Sequence, residues 1–515
     1  MVRPGWIRST LALACAALLS VAAAQQAVIV SAYFRDVRSL DPAIAPGSPD
    51  QQLITNIFSG LVRYTFGSND VEPDLATHWD VSEDGRTYTF YLRDDVQWHR
   101  GYGPFTAHDV KYSFERILDP EVGSRWRAGM EVIESIEVID DHTVAITLQQ
   151  PSAPFLTAIL AFVPGYVVNQ QAIEDFGDDA AFNPIGTGPF QFVSYEPRQQ
   201  LVLEAFPDFY RGEPEVKRIV WNVVPDESVQ ALALQRGELN HMIVRDVEVW
   251  ETLKGRPGIT LMETPATGYW YYAFNTTRTP LDDVRVRQAI AHAVDKELFV
   301  ETVLGGNGVV TDTVIAPGMF GHTPDVPSYP HDPERARELL AEAGYPDGFT
   351  INVVYNAGGG FHDQMAAVLQ QWLGDIGVTL ELIGLEGGAW TARRQTGDYD
   401  ITISGITRAD PDQILSEQFH STSFPPGGIN QAYYAEIDDL VEAQRFAVSP
   451  AERAEILAEI QRRIAEDVPE LPLFAPIYVT AYADYITGEM PNTSNWLLFF
   501  DKLEFTDLSR CQVCR

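Results

Sequence analysis

Residues Tyr269 to Asp295 read YWYYAFNTTRTPLDDVRVRQAIAHAVD. YWYYAF is aromatic throughout and predicts a strand, because such side chains suit a pleated, half-buried surface. Thr279, Pro280 and Asp282 break that strand. Asp282 or Asp283 then caps a helix N-terminus, where a carboxylate opposes the helix dipole. Val286, Ala289, Ile290, Ala293 and Val294 follow at spacings of three and four, which gives one apolar face. A strand, a short break and a buried helix in mid-chain can begin a second lobe, and a binding cleft is expected where this segment leaves the first.

The chain on either side supports that division. With 515 residues it is too long for one core, since single cores stop growing near ~250–300 residues. Hydrophobic residues make up 45% and charged residues 21%, so the chain can fold. There are 72 acidic and 36 basic residues, a formal charge of −36. That balance excludes nucleic acid as a partner, because phosphates need a basic surface, and argues against anionic lipid.

At the N-terminus Arg3 and Arg8 precede an apolar run, Leu11 to Ala23, and Ala22-Ala23-Ala24 forms a small-residue cleavage site before Gln25. A secretory signal peptide over 1–24, cleaved after Ala24, is expected, with periplasmic export. The alternative is a lipid anchor at Cys15, although Ala12 stands where a lipoprotein signal has Leu. No later run reaches the ~20 apolar residues of a spanning helix. Cys511 and Cys514 close the chain as CQVC, and either a tail disulfide or two idle thiols is expected; two sulfurs without a histidine pair do not make a zinc site.

Before Tyr269, AVIVSAYF (27–34) predicts a strand, Gln51 to Tyr64 has helical spacing, and Tyr88, Phe90 and Leu92 alternate as one strand face. Thr106 to Asp109 opens a helix over Val110 to Leu118, and His142 to Leu148 is a second alternating strand. IGTGPFQFVSYE (Ile185–Glu196) places two glycines before a strand; it is neither GxGxxG nor a P-loop, and tight turning is the expected use.

After Asp295, Asp332-Pro333 opens a helix closed by Gly344, and INVVYN (351–356) is a strand. Met365, Val368, Leu369, Trp372 and Ile376 form a helical core stripe. VTLELIGL and YDITISGI are strands, and Ser449 to Glu452 reads as a capping box. Helix and strand alternate on both sides, which predicts an α/β, two-lobed architecture.

HExxH, GxSxG, Walker, Rossmann and EF-hand patterns do not occur in the sequence. No catalytic residue, metal site or cofactor is therefore expected. Carboxylate pairs are so frequent that pairing carries no information, and the aromatic residues read either as core or as walls that stack on a ligand.

Several motifs together resemble one family. DLATHWDVSEDGRTYTFYLRDDVQWH followed by FTAHDVKYSFERI comes first. NPIGTGPFQFVSYE, FNTTRTPLDDVRVRQAIAHAVDKE, DPERARELLAEAGYPDGF and RADPDQIL with FHS follow in family order. The chain resembles the extracytoplasmic solute-binding proteins of peptide- and nickel-type ABC transporters, over about Val28 to Phe505.

The resemblance implies a periplasmic-binding-protein fold, type II, whose two lobes close on a ligand about a hinge. It places the first lobe at 25–267 with 481–515 returning to it, and the second at 268–480. It implies capture of a peptide or similar small solute and delivery to ABC permease subunits by a monomer. A secreted hydrolase acting on peptides or glycans is the alternative.

Dipeptide-binding relatives hold the ligand carboxylate with an Arg just before the helix containing Met365, where this chain has FHDQM (361–365). They hold the ligand amine with an Asp in a loop reading roughly G-W-x-x-D before a D-P-D triplet. Here that loop is shortened to Gly405-Ile406-Thr407-Arg408-Ala409-Asp410-Pro411-Asp412. Ile406 replaces the aromatic, Asp410 matches the first Asp of D-P-D, and Arg408 takes the place of the amine-binding Asp or sits beside it.

The expected ligand wall therefore comprises Gly47 and Ser48 from the first lobe, Tyr271 and Asn275 at the crossing, and Phe361 and Trp390 from the second. Ile406, Thr407, Arg408 and Asp410 complete it. Arg408 carries five donors in a planar fork. It either pairs with Asp410 or Asp412, or anchors an anionic or hydroxyl-rich ligand with Asp410 holding it.

Overall fold

The computed structural model describes residues 25–45, 48–65, 69–358, 361–488 and 497–514. The signal-peptide segment and Gly47 lie outside these residues. The segment that decides the fold forms the strand Gly268–Phe274, a break, and the helix Val284–Ala293. Asp283 is the cap: its carboxylate accepts from the Arg285 amide at 2.9 Å. Tyr269, Tyr271 and Ala273 project into one apolar core, and Tyr272 and Phe274 into another. Both faces of this strand are covered, which is why its sequence is continuously apolar rather than alternating.

The strand sits inside a 12-stranded mixed sheet. On one side it pairs antiparallel with Ile401–Thr407, and beyond that lie the parallel strands Thr350–Asn356 and Thr379–Leu385. On the other side it pairs with the first half of a long strand, Glu470–Ala483. The second half of that long strand, from Ile477, pairs with Ile259–Pro265 and His241–Val244. His241–Val244 continues into Val28–Tyr33, Arg218–Val223, Gln200–Ala205 and Phe190–Glu196. The chain thus crosses twice at one place, upward between Pro265 and Gly268 and back between Pro476 and Ile477. A separate four-stranded antiparallel sheet runs from Ala76 to Leu148 on the side of Val28–Tyr33. There Tyr88, Phe90 and Leu92 are buried as their alternation predicts.

Other predicted elements form with small changes. Helices span Ala107–Leu118, with a complete capping box from Thr106 and Asp109, and Pro333–Glu342, capped by Asp332. Ser449 caps Pro450–Asp467 by accepting from the Glu452 amide at 3.2 Å. The helical spacing from Gln51 to Tyr64 overstates that helix, which is Ser48–Ile57 and is followed by the strand Val62–Tyr64. The Ile57 carbonyl leaves the helical ladder and accepts from the Gly188 amide at 2.9 Å. This also corrects the reading of Gly186 and Gly188. A Cβ on Gly186 would lie 1.9 Å from the Ile57 oxygen, so close backbone approach, rather than the expected tight turning, requires glycine there. Cys511 and Cys514 form a disulfide, and both are buried in the larger apolar core.

Candidate functional site

Two cavities lie between the part of the chain before Pro265 and the part after it. The first, about 380 Å³, sits at the crossing. Val244 and Arg245 line it from one side, Trp270, Phe361, Ile406 and Thr407 from the other, and Pro476, Ile477 and Tyr478 form its back. The second, about 530 Å³, opens between the four-stranded sheet and the helices after Asp410. Tyr88, Leu156 and Thr157 face Phe320, Asp410, Val448 and Arg453 across it. The first cavity ends at Thr407 and the second begins at Ala409, so the shortened loop forms the partition between them.

That partition is held by charge. Asp410 is 2% exposed and accepts from both terminal nitrogens of Arg453. It also caps the helix Pro411–Gln418 through the Asp412 amide at 2.9 Å. Its remaining oxygen capacity goes across the cleft to Thr157 Oγ1 at 2.6 Å. Burial pushes the Asp410 carboxyl up, but Arg453, Thr157 and the Asp412 amide together outweigh it and hold the group below its ordinary value. Two further hydrogen bonds bridge the same gap: the Asn69 side-chain Nδ2 donates to the Ala409 carbonyl at 3.1 Å, and the Ala153 backbone amide donates to the Arg445 carbonyl at 2.8 Å.

Arg408 does not pair with Asp410 or Asp412. Its guanidinium forms a forked ion pair with Glu417, Nε to Oε1 at 3.0 Å and Nη2 to Oε2, and Nη1 donates to the Thr407 carbonyl. The correction has a geometric reason. Asp410 must point back into the helix to cap it, where Arg453 meets it, and Asp412 is taken by Arg445 at 3.0 Å. Glu417, nearly two turns into the helix, is left facing the Arg408 side chain.

Of the predicted wall, the structure brings Phe361, Ile406 and Thr407 to the crossing cavity and Asp410 to the other. Trp390 stands one layer behind, its ring 5.2 Å from that of His362. Tyr271 and Asn275 line neither cavity and are corrected to internal positions. Tyr271 is fully buried and accepts from Gln418 Nε2, and Asn275 spends its amide on the Gly397 and Tyr399 carbonyls. Ser48 opens the helix Ser48–Ile57.

The sequence reading missed Arg453 and Arg394. Arg453 is distant in sequence from the loop it anchors. Trp270, read from the sequence with its aromatic neighbours as either core or cleft wall, lines the crossing cavity on the face of the strand opposite Tyr271. Arg394 is nine-tenths buried and stacks on Trp390, with its Cζ 4.0 Å from the ring centre. Among the described residues no group of three or more His, Cys, Asp or Glu could hold a metal ion, and no helix is long and apolar enough to cross a membrane.

Comparison with known proteins gives the family. The profile of bacterial extracellular solute-binding proteins, family 5, middle region, matches residues 70–425. The dipeptide-binding protein of Escherichia coli is 32% identical over 446 residues, covering 81% of this chain and 83% of that protein. Among solved structures, HbpA2 from Haemophilus parasuis superposes with a TM-score of 0.86 at 26% identity, over 93% of this chain and 99% of that one. The ABC transporter-associated periplasmic binding protein DppA from Helicobacter pylori, in complex with the peptide STSA, gives 0.75 at 27% identity, over 93% and 98%. These neighbours are two-lobed, and the double crossing at Pro265–Gly268 and Pro476–Ile477 joins two such lobes here. The chain belongs to the bacterial extracellular solute-binding proteins of family 5.

Proposed function

We infer that this protein is the substrate-capturing component of an ABC importer, that it takes a peptide or peptide-like solute between its lobes, and that it presents the closed form to membrane permease subunits. One observation supports this most directly: cavities lined from both sides flank a single partition loop at the double crossing. A pocket between lobes buries most of a small ligand. Only the closed form contacts ligand from both sides, so binding and closure are coupled. Micromolar affinity corresponds to roughly −8 kcal/mol, enough to drive a hinge equilibrium of a few kcal/mol.

The lobes are 25–267 with 481–515, and 268–480, with the strand Glu470–Ala483 shared between them. The ligand wall is Phe361, Ile406, Thr407 and Trp270, and the protein acts as a monomer in the periplasm after cleavage behind Ala24. Peptide is favoured as the solute because one relative is named for dipeptides and one structural neighbour holds a peptide. The test is calorimetry of the mature protein, freed of copurifying solute by unfolding and refolding, against di- to pentapeptide mixtures, with small-angle scattering on each binder. Binding with a smaller radius of gyration is expected. Binding without compaction would reject the closure mechanism, and failure of all peptides would reject the solute class.

A further inference from the structure

Among the residues that line the crossing cavity none is acidic, and Arg245 is the sole basic one. The charge of Arg245 is already met. Glu227 Oε2 lies 3.2 Å from its Nη2, and the guanidinium rests on Phe34, 3.7 Å from the ring centre. Glu227 is itself fixed, because its Oε1 accepts from the Arg245 and Asp246 amides at 2.7 and 2.8 Å. Arg408, next to the wall residue Thr407, is paired with Glu417. A charged group of a solute seated here would stay unpaired, and an unpaired buried charge is strongly disfavoured.

One polar atom of the wall is left over. Asn307 Oδ1 is buried and has no hydrogen-bond partner among the described residues. The hydroxyls around the cavity are engaged: Thr407 Oγ1 and Tyr478 OH lie 3.1 Å apart, and Tyr269 OH donates to Gln418 Oε1 at 2.7 Å. Asn307 reaches the cavity on the loop that follows the helix Lys296–Thr302. That loop is seated against the helix Val247–Leu253, which precedes the crossing: a Cβ on Gly305 would lie 3.8 Å from Val247 Cγ1 and 3.9 Å from Trp250 Cζ3. A buried acceptor without a donor carries a desolvation cost that an incoming N–H relieves.

Trp270 supplies a flat wall beside it. The residue pairs across the sheet with Gly405, where a Cβ would lie 2.9 Å from Trp270 Cδ2 and Cε2. The indole therefore lies on bare backbone, and glycine at 405 keeps it there. Phe361 meets Trp270 edge to face, with ring centres 5.4 Å apart. Aromatic walls with one placed polar atom are the usual means of orienting an uncharged ligand.

We propose that the crossing cavity receives an uncharged amide of the transported solute, whose N–H donates to Asn307 Oδ1 and whose planar body lies on Trp270. The proposal rests on the solute-binding reading above and restricts it: the solute class is peptides without charged ends, cyclic or blocked, rather than zwitterionic peptides.

The experiment has two arms. In the first, refolded wild type and Asn307→Leu are titrated calorimetrically with one sequence, Leu-Phe, as the free dipeptide, the N-acetyl amide, the cyclic dipeptide and the cyclic dipeptide methylated on both ring nitrogens. Wild type is expected to bind the free dipeptide at least roughly tenfold more weakly than the N-acetyl amide and the cyclic form. Asn307→Leu should weaken the cyclic form roughly 5- to 50-fold and leave the methylated ring, which has no donor, within about twofold of its wild-type affinity. In the second arm, N-methylacetamide and N,N-dimethylacetamide are added to wild-type protein labelled with 15N-asparagine. The side-chain amide resonance missing from the Asn307→Asp spectrum is followed, and this arm holds even if the Leu variant does not fold. A saturable shift is expected with N-methylacetamide alone.

Equal or tighter binding of the free dipeptide, with a silent resonance, would overturn the uncharged-amide site and leave peptide capture standing. Equal losses for the cyclic and methylated rings in Asn307→Leu would overturn Asn307 as the acceptor. A saturable N-methylacetamide shift without binding of any of the four ligands would support the acceptor and reject peptide as the solute. Silence in both arms would overturn both readings.

Discussion

Replacing Asp410 with Asn tests the role assigned to the partition loop. The carboxylate is 2% exposed, its Arg453 partner 5%. Asn keeps the oxygen that caps Pro411–Gln418 through the Asp412 amide, so the helix start should survive. It loses the charge, and its amide group confronts Arg453 donor to donor. Breaking a buried ion pair by removing one partner costs about 3–5 kcal/mol, because the other charge stays buried and uncompensated. For a lobe of roughly 200 residues this is a fall of roughly 6–20 °C in Tm. The effect depends on pH with a definite sign. The folded carboxyl titrates below its ordinary 3.8. Its stabilisation is therefore complete above the unfolded value and is lost as pH falls through the depressed folded value, so wild type and variant should converge in strong acid. Urea unfolding of wild type, Asp410→Asn, Arg453→Met and the double variant gives the pair energy, with a coupling of roughly 2–3 kcal/mol expected. A single Asn variant that melts within a degree of wild type, or additive single losses, would refute the assignment of Asp410 as an internal anchor.

Arg408→Ala should lower stability by less than about 1 kcal/mol and leave peptide affinity within about threefold, because its Glu417 pair is partly exposed; calorimetry and thermal melting read both. Gly186→Ala should cost roughly 3 kcal/mol or more in urea unfolding, since its Cβ would lie 1.9 Å from the Ile57 oxygen and backbone would have to move. His99 is buried and neutral: the Gly186 amide donates to its Nδ1 at 3.3 Å and its Nε2 meets the Gly188 carbonyl at 2.9 Å. Burial lowers its pKa from 6.5 to about 4. The unfolded chain therefore takes the proton first, and stability should fall by roughly 3 kcal/mol for this group as pH drops from 6.5 towards 4. His241, lowered by burial to about 3, and His362, lowered by burial to about 4, add similar slopes, so His99→Gln should remove about a third of the histidine share of the decline in urea midpoint over that range.

Local chemistry was legible in the sequence wherever neighbours along the chain decide it. The strand Gly268–Phe274 and the caps Asp283, Asp332 and Ser449 follow from aromatic content and from side chains that reach an amide two or three residues on. Motif order gave the family, and with it the two lobes and the cleft, because those motifs are spread along most of the chain. Which charge meets which was not legible. With 72 acidic for 36 basic residues, the arginines after Gln25 have acidic neighbours in sequence, and only the folded path selects among them. Tertiary structure turned Asp410 towards Arg453, 43 residues away, and gave Arg408 to Glu417. It took Tyr271 into the core and put Trp270, the residue before it, on the cavity wall, since pairing on both sides of the strand settles which face sees the cleft.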